Sequence, residues 1–186
     1  MPPNQSALTG QAQATAATYA SQTISAAPAI RILGIDPGTA TVGWGVVDCL
    51  NKNSFHCPAT GIIQTPKEMN AGKRLQMIRQ DLLSLIEEFK PEAMIVEAIF
   101  FFKNAKTLVP VSQARGVILE CGAFMNVQTF EYTPMQVKQN LTGFGRADKK
   151  DVQYAVARIL GHEKIIKPDD AADAVAIAIC HARMSP

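Results

Sequence analysis

The chain has 186 residues, 47 % hydrophobic and 18 % charged, the composition of a globular chain with room for a sizeable core. Its formal net charge is only +2, so charge alone does not mark a nucleic-acid binder, and no stretch approaches the roughly 18 apolar residues of a membrane span. Cys49, Cys57, Cys121 and Cys180 form no CxxC pair, which argues against a zinc ribbon or redox motif and predicts free, mostly buried thiols.

Residues 1–30 carry no Asp, Glu, Lys or Arg and few large apolar side chains. Such a segment buries too little to offset the entropy of ordering it, so residues 1–28 are predicted to be a flexible low-complexity tail. It has neither the basic and apolar regions of a secretory signal nor the arginines of a transit peptide. The folded domain is predicted over residues 29–186. Ile30 to Asp36 is an apolar run stopped by Asp-Pro-Gly and reads as a buried strand. Val42, Trp44 and Val46 alternate with small residues and give the second strand of a hairpin; a third spans Ala59 to Gln64. Leu75, Ile78, Leu82, Leu85, Ile86 and Phe89 recur at helical spacing, and Pro91 marks the end of that helix. Ala93 to Ile99 is a short apolar strand interrupted by Glu97. Pro110 suits the first turn of a helix running to about Met125, and Val127 to Tyr132 is a further strand. Thr133, Pro134 and Gln136 supply an N-cap, a first-turn proline and a capping-box partner for a helix to about Leu141. Gly143 and Gly145 predict a mobile loop. Asp148 caps a helix to about Leu160, and the last helix runs from about Asp170 to His181. Three strands followed by alternating helices and strands predict an α/β fold with a mixed sheet.

Four carboxylates stand at odd places. Asp36 ends the first strand, Glu97 interrupts an apolar one, and Asp170 and Asp173 share a face of the last helix. Singly, each has an ordinary explanation. Asp36 can initiate a turn, Asp170 and Asp173 can cap a helix, and Glu97 can pair with an arginine. Together they match one chemistry. Hard divalent ions take carboxylate oxygens, and two ions about 4 Å apart can activate a water and stabilise the leaving oxygen of a phosphodiester. No histidine is needed: His56 is expected at the surface and His181 at a helix C-terminus.

The segments Gly34-Ile35-Asp36-Pro37-Gly38, Val96-Glu97-Ala98-Ile99-Phe100, Gln113-Ala114-Arg115-Gly116, Val137-Lys138-Gln139, Gly143-Phe144-Gly145 and Asp170-Ala171-Ala172-Asp173-Ala174 resemble the RuvC family of Holliday-junction resolvases. The resemblance covers about residues 30–182, in one order. It implies an RNase H-like three-layer fold with a central mixed five-stranded sheet flanked by helices. It implies a crossover junction endodeoxyribonuclease acting in recombination and repair, leaving 5′-phosphates. The implied catalytic and metal-ligating residues are Asp36, Glu97, Asp170 and Asp173, holding two Mg²⁺ per subunit with Mn²⁺ as a substitute. Asp169 is assigned to helix capping. The implied partners are four-way junction DNA, a second copy in a homodimer, and the branch-migration motor of RuvA and RuvB, in a bacterial cytoplasm. The sequence departs from the family in its uncharged N-terminal extension and in ending without the basic tail some members carry.

The DNA contacts expected are Phe100, Lys103, Asn104, Arg115, Lys138, Lys149 and Lys150. Lys149 and Lys150 fall in the first turn of a helix, where cations oppose the dipole unless a phosphate docks there. Lys138 and Lys149 are assigned by the resemblance to the backbone near the scissile phosphate, and Phe100 to stacking at the junction centre. The helix carrying Gln113 and Arg115 is expected to contribute to dimer packing. Three rival readings are weaker. An actin- or hexokinase-like ATPase needs a second lobe for which there is no room. An RNA nuclease shares the acidic chemistry but not the Phe-Lys-Asn segment. A non-catalytic junction binder has no use for all four carboxylates.

Overall fold

The computed structural model describes residues 30–98 and 105–185. The predicted tail, and Phe100, Lys103 and Asn104, lie outside the described residues. In chain order the elements are β1 (Ile30–Asp36), β2 (Thr41–Asn51), β3 (Ser54–Gln64), α1 (Ala71–Phe89), β4 (Ala93–Glu97), α2 (Ala105–Phe124), β5 (Gln128–Tyr132), α3 (Pro134–Thr142), α4 (Lys149–Leu160) and α5 (Asp169–Met184). They build one sheet of order β3-β2-β1-β4-β5. The β1–β2 and β2–β3 pairs are antiparallel; β1–β4 and β4–β5 are parallel. This is the mixed sheet expected from the pattern of strands, with the five strands that the resemblance implies.

Strand alternation sorts the core into two layers. Leu33, Ile35, Trp44, Met94 and Val96 face one side and pack with Ile78 and Leu82 of α1 and Ile118 of α2. Ile32, Val47 and Ile95 face the other and pack with Val137 of α3, Val156 of α4 and Val175 and Ile179 of α5. Three of the four cysteines are buried and all are free, as predicted.

The second layer is unusually close. A Cβ on Gly34 or Gly43 would lie 2.0 Å from the carbonyl oxygen of Ala174 or Asp170, and one on Gly45 would lie 2.4 Å from Val175. Gly34 pairs with Gly45 across β1–β2, and Gly43 pairs with Asp36. The sheet therefore has a glycine floor, and the alanine-rich face of α5 rests directly on it.

Three elements differ from their sequence-based expectations. β3 begins at Ser54 rather than Ala59. Its register shifts between Val46 and Asp48. That irregularity accommodates Pro58, which cannot donate to a ladder, on an edge strand. α2 starts at Ala105, so Pro110 lies inside the helix and not in its first turn. Proline at the first turn is the commoner arrangement, which is why the sequence misplaces the boundary. α5 opens on Pro168 with no side-chain cap, so neither Asp169 nor Asp170 serves as the capping residue.

His181 stands in the last turn of α5, as expected. It is buried at 6 % exposure, with Nδ1 3.0 Å from the Tyr132 hydroxyl and Nε2 3.1 Å from the Ser185 hydroxyl. Burial pushes this imidazole below its ordinary value. A base whose folded pKa is depressed contributes stability that is complete above its unfolded pKa, about 6.5, and is lost as pH falls below it. The melting temperature is therefore expected to drop from pH 7 to pH 5 more steeply for the parent chain than for His181→Gln. Parallel pH profiles would contradict this.

Candidate active site

Asp36 and Glu97 are delivered by topology. Both end strands of the parallel β1–β4 pair, whose register sets Ile35 beside Val96. Because Gly34 meets α5 while Ile35 enters the opposite layer, alternation directs Asp36 toward α5, and Glu97 shares that face. Asp170 and Asp173 come from the first turns of α5, which the glycine floor brings down onto the strand ends. Carboxylate oxygens of Asp36, Asp170 and Asp173 lie within 4.8 Å of one another. Glu97 lines an adjoining cavity of about 190 Å³ together with Asp173, Lys138 and Lys149. Four carboxylates separated by up to 137 positions in the chain thus converge at one end of the sheet.

The electrostatics are those of carboxylates crowded together with a lysine among them. Burial, then the charges of Glu97, Asp173 and Asp170, push Asp36 up to about 8 against the opposing pull of Lys149. Burial also raises Asp173, offset by Lys149. An all-oxygen donor set that resists its own ionisation fits a hard divalent cation, whose charge would relieve both burial and mutual repulsion.

Lys149 is the cation built into the cluster. Its Nζ is 3.0 Å from Asp173 and 3.7 Å from Asp169. Burial pulls its pKa down, but the bond to Asp173 and the charges of Asp169 and Asp170 hold it above the ordinary lysine value. Asp169 stands outside the cluster, bound by Lys167 at 2.6 Å, which lowers its pKa. Lys138 of α3 reaches the same cleft, and Lys150 is exposed beside it on α4. Arg115 is not brought there. It packs on the α2 face of the sheet, where its guanidinium pairs with Glu131 of β5 at 2.5 Å. The pairing of Lys149 with Asp173 has no signature in the sequence, since the two lie on different helices. The glycine floor does have one: glycines at 43 and 45 alternate on one strand face.

The family model for crossover junction endodeoxyribonuclease RuvC matches residues 32–181. The chain belongs to the RuvC family. The RuvC of Finegoldia magna is 48 % identical over 153 residues, covering 82 % of this chain and 92 % of that one. The RuvC of Fusobacterium nucleatum subsp. nucleatum is 45 % identical over 152 residues, covering 82 % and 80 %. Among solved structures, Thermus thermophilus RuvC is similar with a TM-score of 0.77 at 35 % identity, covering 82 % of this chain and 93 % of that one. The same enzyme in complex with a Holliday junction substrate gives 0.78 at 35 % identity, covering 83 % and 96 %. The yeast mitochondrial resolvase Ydc2, 14 % identical with a TM-score of 0.63, covering 85 % and 80 %, shares the fold. The RuvC match spans all five strands but for the first two residues of β1, and includes every carboxylate of the cluster. No described helix is long and apolar enough to cross a membrane.

Proposed function

We propose that the chain is a structure-selective DNA endonuclease that resolves four-way junctions by symmetric, metal-dependent phosphodiester hydrolysis. The observation that carries this is the convergence of Asp36, Asp170 and Asp173 within 4.8 Å, beside Glu97 and flanked by Lys138 and Lys149. Asp36, Glu97, Asp170 and Asp173 would hold two Mg²⁺, or Mn²⁺ in their place. When bound, such ions supply charge stabilisation at the phosphoryl oxygens and lower the pKa of water. The chain's own residues then position the substrate. Lys138 and Lys149 sit on opposite helices bordering the cleft and attract the phosphates on either side of the scissile bond. The glycine floor fixes the spacing between strand and helix carboxylates.

The active form in this reading is a homodimer whose two-fold axis matches the pseudo-two-fold junction. It acts with a motor of the RuvA and RuvB type in a bacterial cytoplasm. Light scattering of the purified chain at micromolar concentration is expected to return the dimer mass; a monomer would contradict it.

The nuclease reading is tested with an end-labelled synthetic four-way junction beside a linear duplex of the same sequence, each with Mg²⁺ and with EDTA. Paired symmetric cuts, only in the junction and only with metal, are expected. Equal cutting of both DNAs would overturn the junction specificity, and no cutting would overturn the substrate.

Lys149 occupies one of the carboxylates a metal would use. Lys149→Met is therefore expected to tighten Mn²⁺ binding several-fold while reducing junction cleavage, as the phosphate loses its contact. A metal titration unchanged by the substitution would separate Lys149 from the metal site.

A further inference from the structure

The connection between α3 and α4, which its two glycines predict to be mobile, carries side-chain hydrogen bonds of its own. The Gln139 side chain donates to the Gly143 carbonyl at 2.9 Å and accepts from the Gly145 N–H at 3.0 Å. The Thr142 hydroxyl accepts from the Phe144 N–H at 3.1 Å. Gly143 closes α3 with φ at 78°, in the left-handed region that favours glycine. These bonds fasten the turn on both sides of Phe144, yet the Phe144 side chain is left 60 % exposed.

Phe144 stands between two grooves. One, of about 340 Å³, is also lined by Tyr154, Asp151 and Arg158. The other, of about 680 Å³, passes Met135, Gln139 and Arg146. Tyr154 is 65 % exposed. Lys150, Tyr154 and Arg158 recur at four-residue steps and share the outer face of α4. Among the described residues, Lys138, Arg146, Lys150 and Arg158 form no ion pair. The two acids in this stretch are engaged otherwise: Asp148 accepts from the Asp151 N–H at 2.8 Å and Asp151 from the Asp148 N–H at 3.0 Å. The result is a row of cations outside any ion pair among the described residues, with two aromatic rings set among them. It is continuous with the acidic cleft, because the same two helices present Lys138 and Lys149 there.

We infer that this face is a path for a DNA strand leaving the cleft, with an unpaired base stacking in the groove between Phe144 and Tyr154 and the flanking phosphates held by Arg146, Lys150 and Arg158. The inference rests on the nuclease reading and extends it to residues with no part in the chemistry. Cations interleaved with aromatics are the chemistry of strands whose base faces are free; a closed duplex hides those faces. Lys150 to Arg158 is eight helical steps, roughly 12 Å, a row long enough to meet more than one phosphate of a strand.

The test is binding of a fluorescein-labelled four-way junction by the full chain carrying Asp173→Asn, with Mg²⁺, read by anisotropy. Adding Phe144→Ala or Tyr154→Ala is expected to weaken binding about tenfold each, while Phe144→Trp retains it. Arg158→Ala is expected to weaken binding and to flatten the slope of log K against log salt by about 0.9. A scan of abasic positions through the junction should find one at which Phe144→Ala causes no further loss. Melting temperatures should stay at the parent value, because both rings are exposed. Binding by Phe144→Ala and Tyr154→Ala within about twofold of the parent would overturn the path. A Phe144→Ala chain that has lost its dimer by light scattering would assign the face to a second copy and overturn it also. A parent that binds no junction would overturn the nuclease reading itself, and the path with it.

Discussion

Asp173→Asn is expected to lower junction cleavage by on the order of 10³-fold while leaving junction binding within a few-fold. The substitution keeps the shape of the side chain and removes its charge. In the metal-free protein that charge is a liability, because burial and the neighbouring Asp170 and Asp169 all raise the Asp173 pKa. The variant should therefore melt no lower than the parent in EDTA, and the stabilisation that Mg²⁺ gives the parent should shrink. The Lys149 ammonium, released from its 3.0 Å contact with Asp173, remains available to phosphate. Loss of cleavage with binding and folding intact separates a catalytic carboxylate from a structural one. Undiminished cutting would remove Asp173 from the catalytic set.

Gly43→Ala is expected to damage the site without touching any carboxylate. The added Cβ would fall 2.0 Å from the carbonyl oxygen of Asp170, a backbone atom with no rotamer to escape into. The first turn of α5 must then move off the sheet, carrying Asp170 and Asp173 away from Asp36. Overpacking of this kind destabilises by about 1–3 kcal/mol, or roughly 3–10 °C in Tm for a chain of this size. A displacement of about 1 Å at the carboxylates is worth on the order of 10²-fold in rate. Gly72→Ala is the control. Its Cβ would meet only Asn70 Oδ1 at 3.6 Å, and alanine is the better helix former, so Tm should hold or rise slightly. Equal behaviour of the two variants would mean that the glycine floor does not set the spacing of the site.

Where the sequence carried local chemistry, it was a sufficient guide to the structure. The Thr133/Gln136 box, the Asp148 cap and the three-and-four spacing of α1 are all encoded within one or two helical turns, and all three elements appear as expected. The four carboxylates were singled out because each is anomalous locally, and a charged residue in an apolar strand needs a reason. Their convergence is a property of the strand order, which places β1 beside β4, and of α5 lying on glycines. Features decided by distant partners were not legible. His181 reads correctly as a helix-end residue, but its burial depends on Tyr132 and Ser185. Arg115 reads as a free cation until β5 brings up Glu131. Gly143 and Gly145 suggest slackness because glycine is permissive, but the side chains of Gln139 and Thr142 fasten the turn. Pro110 reads as a helix start because proline is tolerated there at least cost, whereas α2 carries it internally.

Asp36, Glu97, Asp170 and Asp173 are proposed to form a binding site for divalent cations. The most direct measurement is anomalous diffraction from crystals of the full chain soaked in Mn²⁺. Anomalous density is expected among the oxygens of these four residues, with Lys149 drawn off Asp173. Mn²⁺-soaked crystals with no density there, and Lys149 still seated on Asp173, would contradict it.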